Sequence, residues 1–131
     1  MSDRDGGAVV QKFFEAMNDH DLDQVVSVAS EDIEFVDVAA GEEIYGREQW
    51  WGRYCGRHLK VFPDIRLEQT NVLAVGDWAV VEAIAHGRQD GVLEIPAGTI
   101  PPTGREVKVK FCLSLGLATG RSLTAASITT P

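Results

Sequence analysis

Trp78-Ala79-Val80-Val81-Glu82-Ala83-Ile84-Ala85-His86-Gly87-Arg88 alternates large and small side chains along its whole length. Successive strand residues face opposite sides of a sheet. Trp78, Val80, Glu82, Ile84 and His86 therefore share one face, and Ala79, Val81, Ala83, Ala85 and Gly87 share the other. The small face can lie close beneath a helix. The large face brings Glu82 and His86 together, either inside a hollow as an acid–base pair or on the outer, subunit-contact side as an ion pair.

Working outward, further β-rich runs cover about Ile65 to Ala74, Glu106 to Leu117 and Leu123 to Thr129, with turn signals at Gly76-Asp77 and Thr119-Gly120. The segment Leu93 to Gly104 holds Pro96, Gly98, Pro101, Pro102 and Gly104, too many breakers for a strand, and reads as a long loop at the mouth of a hollow. Toward the N-terminus, Val9, Val10, Phe13, Phe14 and Met17 recur at helical spacing. Asp21 opens a second helix in capping-box spacing with Gln24, and Leu22, Val25, Val26 and Ala29 form its inner face. A first strand spans about Asp32 to Val38 and a short extended piece Glu43 to Tyr45. A third helix runs from about Arg47 to Leu59, with Trp50/Tyr54 and Trp51/Cys55 four residues apart, and ends before Pro63.

Three helices precede a long sheet, and three helices cover only one sheet face. We therefore expect an α+β fold, with a strongly curved sheet wrapped on the helices and a pocket between them. At 131 residues, 44% of them hydrophobic, one domain spanning residues 1–131 is expected.

Twelve Lys and Arg against 20 Asp and Glu argue against nucleic acid and anionic membranes as partners. No apolar run is long enough to span a bilayer, and Ser2, Asp3, Arg4 and Asp5 do not resemble a secretory signal, so a cytoplasmic protein is expected. Cys55 and Cys112 lack metal-ligand spacing and read as buried thiols rather than a disulfide. Gly-x-Ser-x-Gly, phosphate-loop and His-Glu-x-x-His signatures are missing, and Gly87-Arg88-Gln89-Asp90-Gly91 does not open a helix. No cofactor or metal is expected.

For acid–base chemistry, Asp37 is the best-placed residue: it ends the first strand on the same face as Phe35, toward the interior. Tyr54, one turn beyond Trp50, needs a partner for its hydroxyl, either a substrate oxygen or Asp37. His86 is the other candidate from the strands, and an apolar pocket points to a mainly apolar small molecule.

Phe35-Val36-Asp37 followed nine residues later by Gly46-Arg47-Glu48, then Phe62-Pro63-Asp64 and Ile100-Pro101-Pro102-Thr103-Gly104-Arg105, resembles the SnoaL-like polyketide cyclases of the nuclear-transport-factor-2-like superfamily. The resemblance implies a cone-shaped α+β barrel, homodimeric or larger through its outer sheet face. It also implies a cofactor-free enzyme that cyclises or isomerises a polyketide- or terpenoid-like secondary metabolite, as in antibiotic biosynthesis. Where that family usually reads Gly-Thr-His-x-Gly, Gln89 stands at the histidine position. The final strand from Ser122 carries no acid where the cyclases carry an aspartate. Ketosteroid isomerases of the same superfamily are matched by Asp37 and Tyr54, while Phe13 stands at their first-helix tyrosine.

The expected catalytic set is thus Asp37, Tyr54, His86 and Gln89, with Phe13, Met17, Phe35, Trp50, Trp51 and Glu82 contacting substrate. Two other functions remain open: a non-catalytic small-molecule-binding or partner-subunit protein, and a SnoaL-like hydroxylase or monooxygenase component.

Overall fold

The computed structural model describes residues 2–38, 41–95, 97–118 and 122–129. Two helices lead, α1 (Ser2–Asn18) and α2 (Leu22–Ser27), followed by strands β1 (Ala29–Asp37) and β2 (Glu42–Tyr45). A π-helical stretch, Gln49–Cys55, runs directly into α3 (Gly56–Val61). Then come β3 (Arg66–Val75), β4 (Trp78–Arg88), β5 (Leu93–Ile95), β6 (Gly98–Ile100), β7 (Glu106–Ala118) and β8 (Ser122–Thr129).

Six strands form one open sheet in the order β2-β1-β8-β7-β4-β3, in which only β1 and β8 run parallel. The fold is the expected α+β class with a mixed sheet under three helices, but the sheet does not close into a barrel. Its inner face is the small face of β4: Ala79, Val81 and Ala83 are buried, while Trp78, Val80 and Glu82 are exposed. Small side chains at these positions let the aromatic side chains of the helical layer reach the sheet without overpacking. Phe13, Phe14 and Trp50 from that layer meet Ile33, Phe35 and Leu115 from the sheet in the core.

Local chemistry sets where the helices stop. Asp21 Oδ1 accepts from the Gln24 amide at 3.2 Å, capping α2. Asn18 docks the end of α1 on the sheet edge: its Nδ2 donates to the Leu67 carbonyl at 2.9 Å and its Oδ1 accepts from the Leu67 amide at 2.7 Å. In the π-helical stretch the wider turn puts Trp50, Tyr54 and Cys55 on one buried face. The side chains of Trp51 and Leu22, and the Thr119-Gly120 turn, lie outside the described residues.

The segment expected to be an unbroken loop holds a small hairpin, with Leu93 opposite Ile100 and Ile95 opposite Gly98. Pro96 falls between the two short strands in sequence and Pro101, Pro102 and Gly104 after them, while Gly98, which begins β6 at φ +142, takes a backbone angle that glycine tolerates. Each short motif quoted above has a contact to explain it. Gly46, at φ +93, donates its amide to the Ile33 carbonyl at 2.8 Å. Asp64 accepts from the Arg88 amide at 2.8 Å. Thr103 Oγ1 donates to Gln89 Oε1 at 2.9 Å.

The end of α3 is tied to the strand end: the amides of Asp90 and Gly91 both donate to the Val61 carbonyl, at 3.0 and 3.1 Å. A Cβ on Gly91 would collide with the Lys60 backbone carbonyl, whereas one on Gly7, inside α1, would meet nothing within 4 Å. Gly91→Ala is therefore expected to cost about 1–3 kcal/mol, and Gly7→Ala to add about 0.5–1 kcal/mol. Urea denaturation of the two variants checks the pair of opposite signs.

Candidate active site

Between the helical layer and the inner sheet face lies a cavity of about 470 Å³. Phe13 and Met17 of α1, Phe35 of β1 and Trp50 of the π-helical stretch line it, as do Leu113 and Ile128 from the sheet. Polar residues in its lining are few: Asp37, Tyr54, His58 and His86. Such a lining suits an apolar molecule held in orientation by a small number of polar contacts.

The aromatic residues form a continuous wall. Phe13 stacks on Trp50 with centroids 5.8 Å apart, Phe35 lies 6.1 Å from Trp50, and Phe35 and Tyr54 approach to 4.5 Å. Tyr54 is the hub. Its hydroxyl donates to Asp37 Oδ2 at 2.7 Å, His58 lies against its ring at 4.5 Å, and the Arg57 guanidinium sits 5.8 Å from its centroid. Arg57 is itself clamped by both carboxylate oxygens of Glu42, at 2.8 and 2.9 Å, which ties α3 to β2 beside Asp37.

Asp37 is delivered here by strand register. It pairs with Glu42 on one side and with Ile128 on the other, and Ile128 pairs in turn with Leu113. The neighbours of Asp37 toward β8 and β7 are thus apolar, while toward β2 it has a second carboxylate beside it, Glu42, which Arg57 holds. Burial, and then the hydrogen bond to Asp37, push the Tyr54 phenol far above its ordinary pKa, so it remains an O–H donor to the carboxylate. Cys55, also in the wall, is pushed up to about 12 by burial and is a packing thiol. Cys55 and Cys112 are both free, the first buried and the second half-buried.

Two expected residues, Glu82 and Gln89, lie away from the cavity, and a third, His86, is among the residues lining it with its Nε2 engaged by Glu68. Glu82 faces out from the sheet, where Asn71 Nδ2 donates to its Oε1 at 3.1 Å, and it does not line the cavity. The orientation of β4 decides this, because its small face, Ala79, Val81 and Ala83, is the one turned inward. On the same outer face, His86 Nε2 lies 2.9 Å from Glu68 Oε1, a bond that lowers the Glu68 pKa, and His86 does not pair with Glu82. Gln89 is buried but not in the cavity. Its Nε2 donates to the carbonyls of Pro101 and Gly91, at 3.2 and 3.4 Å, and its Oε1 accepts from Thr103, so its amide bolts the 89–105 segment together.

His58 was missed in the sequence. The signal was present, since it follows Tyr54 by one four-residue step on the same helix face. Its Nδ1 lies 2.8 Å from the Tyr54 carbonyl and its ring borders the cavity.

The fold of these two tyrosine environments has a pH signature. The chain has two tyrosines, and Tyr45 is also raised, by its hydrogen bond to Glu43. Folding favours the neutral Tyr54 phenol, so its stabilising effect is complete below the unfolded value of about 10 and is lost as pH rises toward the higher folded value. Ultraviolet titration of the folded protein is expected to show at most one tyrosinate, that of the exposed Tyr45, with Tyr54 ionising together with alkaline unfolding. Normal ionisation of both tyrosines in a folded chain would contradict the buried bond.

The chain matches the SnoaL-like domain over residues 10–122. Among solved structures it is similar to an inferred SnoaL-like polyketide cyclase from Jannaschia sp. CCS1, with 22% identity and a TM-score of 0.83, covering 98% of this chain and 86% of that one. It is also similar to SalBIII, an epoxide hydrolase/cyclase-like enzyme with a role in pyran ring formation in the polyether salinomycin, with 16% identity and a TM-score of 0.82, covering 100% and 95%. A third is AclR, an inferred hydroxylase from Streptomyces galilaeus, with 20% identity and a TM-score of 0.81, covering 98% and 76%. No curated protein matches by sequence. With the domain match running through most of its length, the chain belongs to the SnoaL-like domain family.

Proposed function

We propose that the protein is a cofactor-independent cyclase or isomerase acting on a polyketide- or terpenoid-like secondary metabolite, with Asp37 as the base that removes a proton from carbon next to a carbonyl. The observation that carries this reading is one carboxylate, oriented by Tyr54, facing a cavity walled mainly by aromatic and aliphatic side chains. A carbon acid gives up its proton to a carboxylate most readily where water is excluded and the base is held in place. Phe13, Met17, Phe35 and Trp50 would hold the apolar skeleton over Asp37. Tyr54 acts through Asp37, as a positioning residue, because its single hydroxyl hydrogen is already committed there.

The test is deuterium uptake next to the carbonyl of 2-tetralone, an apolar bicyclic ketone, followed by proton NMR in heavy water. Wild-type protein is expected to accelerate uptake, and Asp37→Asn to lower it about 10²–10⁴-fold while remaining folded. Uptake that persists in Asp37→Asn would place the base elsewhere.

A second reading, a binding protein without chemistry, is favoured by one feature. The final strand, which carries an acid in the cyclases, carries none from Ser122 to Thr129 here and offers Ile128 to the cavity beside Asp37. That reading expects tight binding of a carbonyl compound with no exchange above buffer in the wild type.

The outer sheet face also supports self-association. Leu73, Val75, Trp78 and Val80 are exposed large apolar residues brought together by the β3–β4 register. The protein is expected to be a homodimer or larger in light scattering, and Trp78→Glu to shift it to monomer. A wild-type monomer at high concentration would contradict this.

A further inference from the structure

Proton removal from carbon leaves charge on the neighbouring oxygen, and that oxygen needs a donor. The candidates drawn from the sequence are all engaged. The Tyr54 hydroxyl donates to Asp37, the Gln89 amide is bound within the 89–105 segment, and the His86 Nε2 faces Glu68 on the outer side.

His58 is not engaged in this way. Its Nδ1 sits 2.8 Å from the Tyr54 carbonyl oxygen. A carbonyl only accepts, so Nδ1 carries a hydrogen whether the imidazole is neutral or cationic. Proton exchange is left to Nε2, for which no hydrogen bond to another described residue is found. The ring borders the cavity and lies 4.5 Å from the Tyr54 ring, whose hydroxyl end holds Asp37. One phenol thus carries a carboxylate at its hydroxyl and an imidazole against its ring.

We infer that His58 is a second catalytic residue of this cavity, the acid–base group that serves the substrate's carbonyl oxygen while Asp37 serves the adjacent carbon. This rests on the acid–base reading of Asp37 given above. In the forward step the Asp37 carboxylate takes the proton from carbon and the C–H pair becomes the new C=C bond. The carbonyl π pair moves to oxygen, which takes the proton from Nε2 of the imidazolium. An enol, a neutral imidazole and a carboxylic acid result. In the return step the enol O–H gives its proton back to Nε2 and the C=O bond re-forms. The conjugated carbon takes the proton held by Asp37, and both side chains return to their starting states. For ring closure the same enol carbon attacks a second carbonyl of the substrate instead. Its own O–H proton returns to His58, and the proton on Asp37 goes to the new alkoxide.

The substrate class narrows accordingly. The group next to the acidic carbon is a ketone or enol oxygen within reach of α3, carried on a skeleton otherwise without polar groups on the side facing Phe13 and Trp50.

Two variants and two probes test this. His58→Phe keeps a ring against Tyr54 and removes both nitrogens, and His58→Ala opens room for added imidazole. The probes are 2-tetralone for exchange and 2-naphthol, a planar mimic of the enol, for binding, with naphthalene as its oxygen-free control. His58→Phe is expected to lower tetralone exchange about 10²–10³-fold and to weaken 2-naphthol binding at least about tenfold relative to naphthalene. Added imidazole is expected to restore exchange in His58→Ala. Unchanged exchange and an unchanged naphthol-to-naphthalene ratio in His58→Phe, or an His58→Ala protein that imidazole does not restore, would overturn the role of His58. The naphthol arm does not require Asp37 to be the base, so a failure of the Asp37 reading, seen as persistent exchange in Asp37→Asn, is distinguishable from a failure here.

Discussion

The hydrogen bond from Tyr54 to Asp37 joins the two halves of the molecule at the point where chemistry can occur. Tyr54 comes from the π-helical stretch and Asp37 from the last residue of β1, and 2.7 Å separates their oxygens. Charge-assisted bonds of this kind contribute about 1.5–3 kcal/mol when the partners are shielded from water. The bond depends on the helix being seated at the right height over the sheet. Phe35 and Trp50 do the seating from within, and the Arg57–Glu42 bridge and the Val61 carbonyl contacts do it from the rim.

The cavity exists because the residues beneath the helices are small and those around its edge are not. Ala79, Val81 and Ala83 bring β4 close to the helical layer at one end. Toward the other end Ala85 and Gly87 remain small, but Phe62, Ile65 and Leu67 form a rim instead of filling the gap. Gly87 allows Phe62 its position, since a Cβ there would lie 3.1 Å from the Phe62 Cβ. Interiors are ordinarily close-packed. A void of this size lined by aromatic side chains is therefore better understood as a binding site than as a packing defect.

Much of the architecture was legible because periodicity records which face is buried. The bounds of β4 coincide with the alternating run, and the Asp21–Gln24 spacing marks the start of α2. The hairpin inside the 93–104 segment was not legible, because three-residue strands are too short to show a period and prolines mask them. Whether Glu82 and His86 faced in or out was undetermined from alternation alone, which fixes the relative face and not its orientation. Asp37 and Tyr54 stood out by position on their elements. Gln89 illustrates the opposite case: aligned with a family histidine, it satisfies its hydrogen bonds within its own loop. His58 had a signal in its four-residue step from Tyr54, but that spacing does not show the backbone carbonyl that holds one nitrogen.

The central claim is that this SnoaL-like domain holds an apolar carbonyl compound and changes it by moving a proton. The most direct measurement is native mass spectrometry of the protein isolated from the cells that make it, with extraction and identification of whatever it carries. The account predicts a bound molecule that is a cyclised or isomerised form of its biosynthetic precursor, equal to it in mass or lighter only by water. A bound precursor that stays unchanged on prolonged incubation would contradict it.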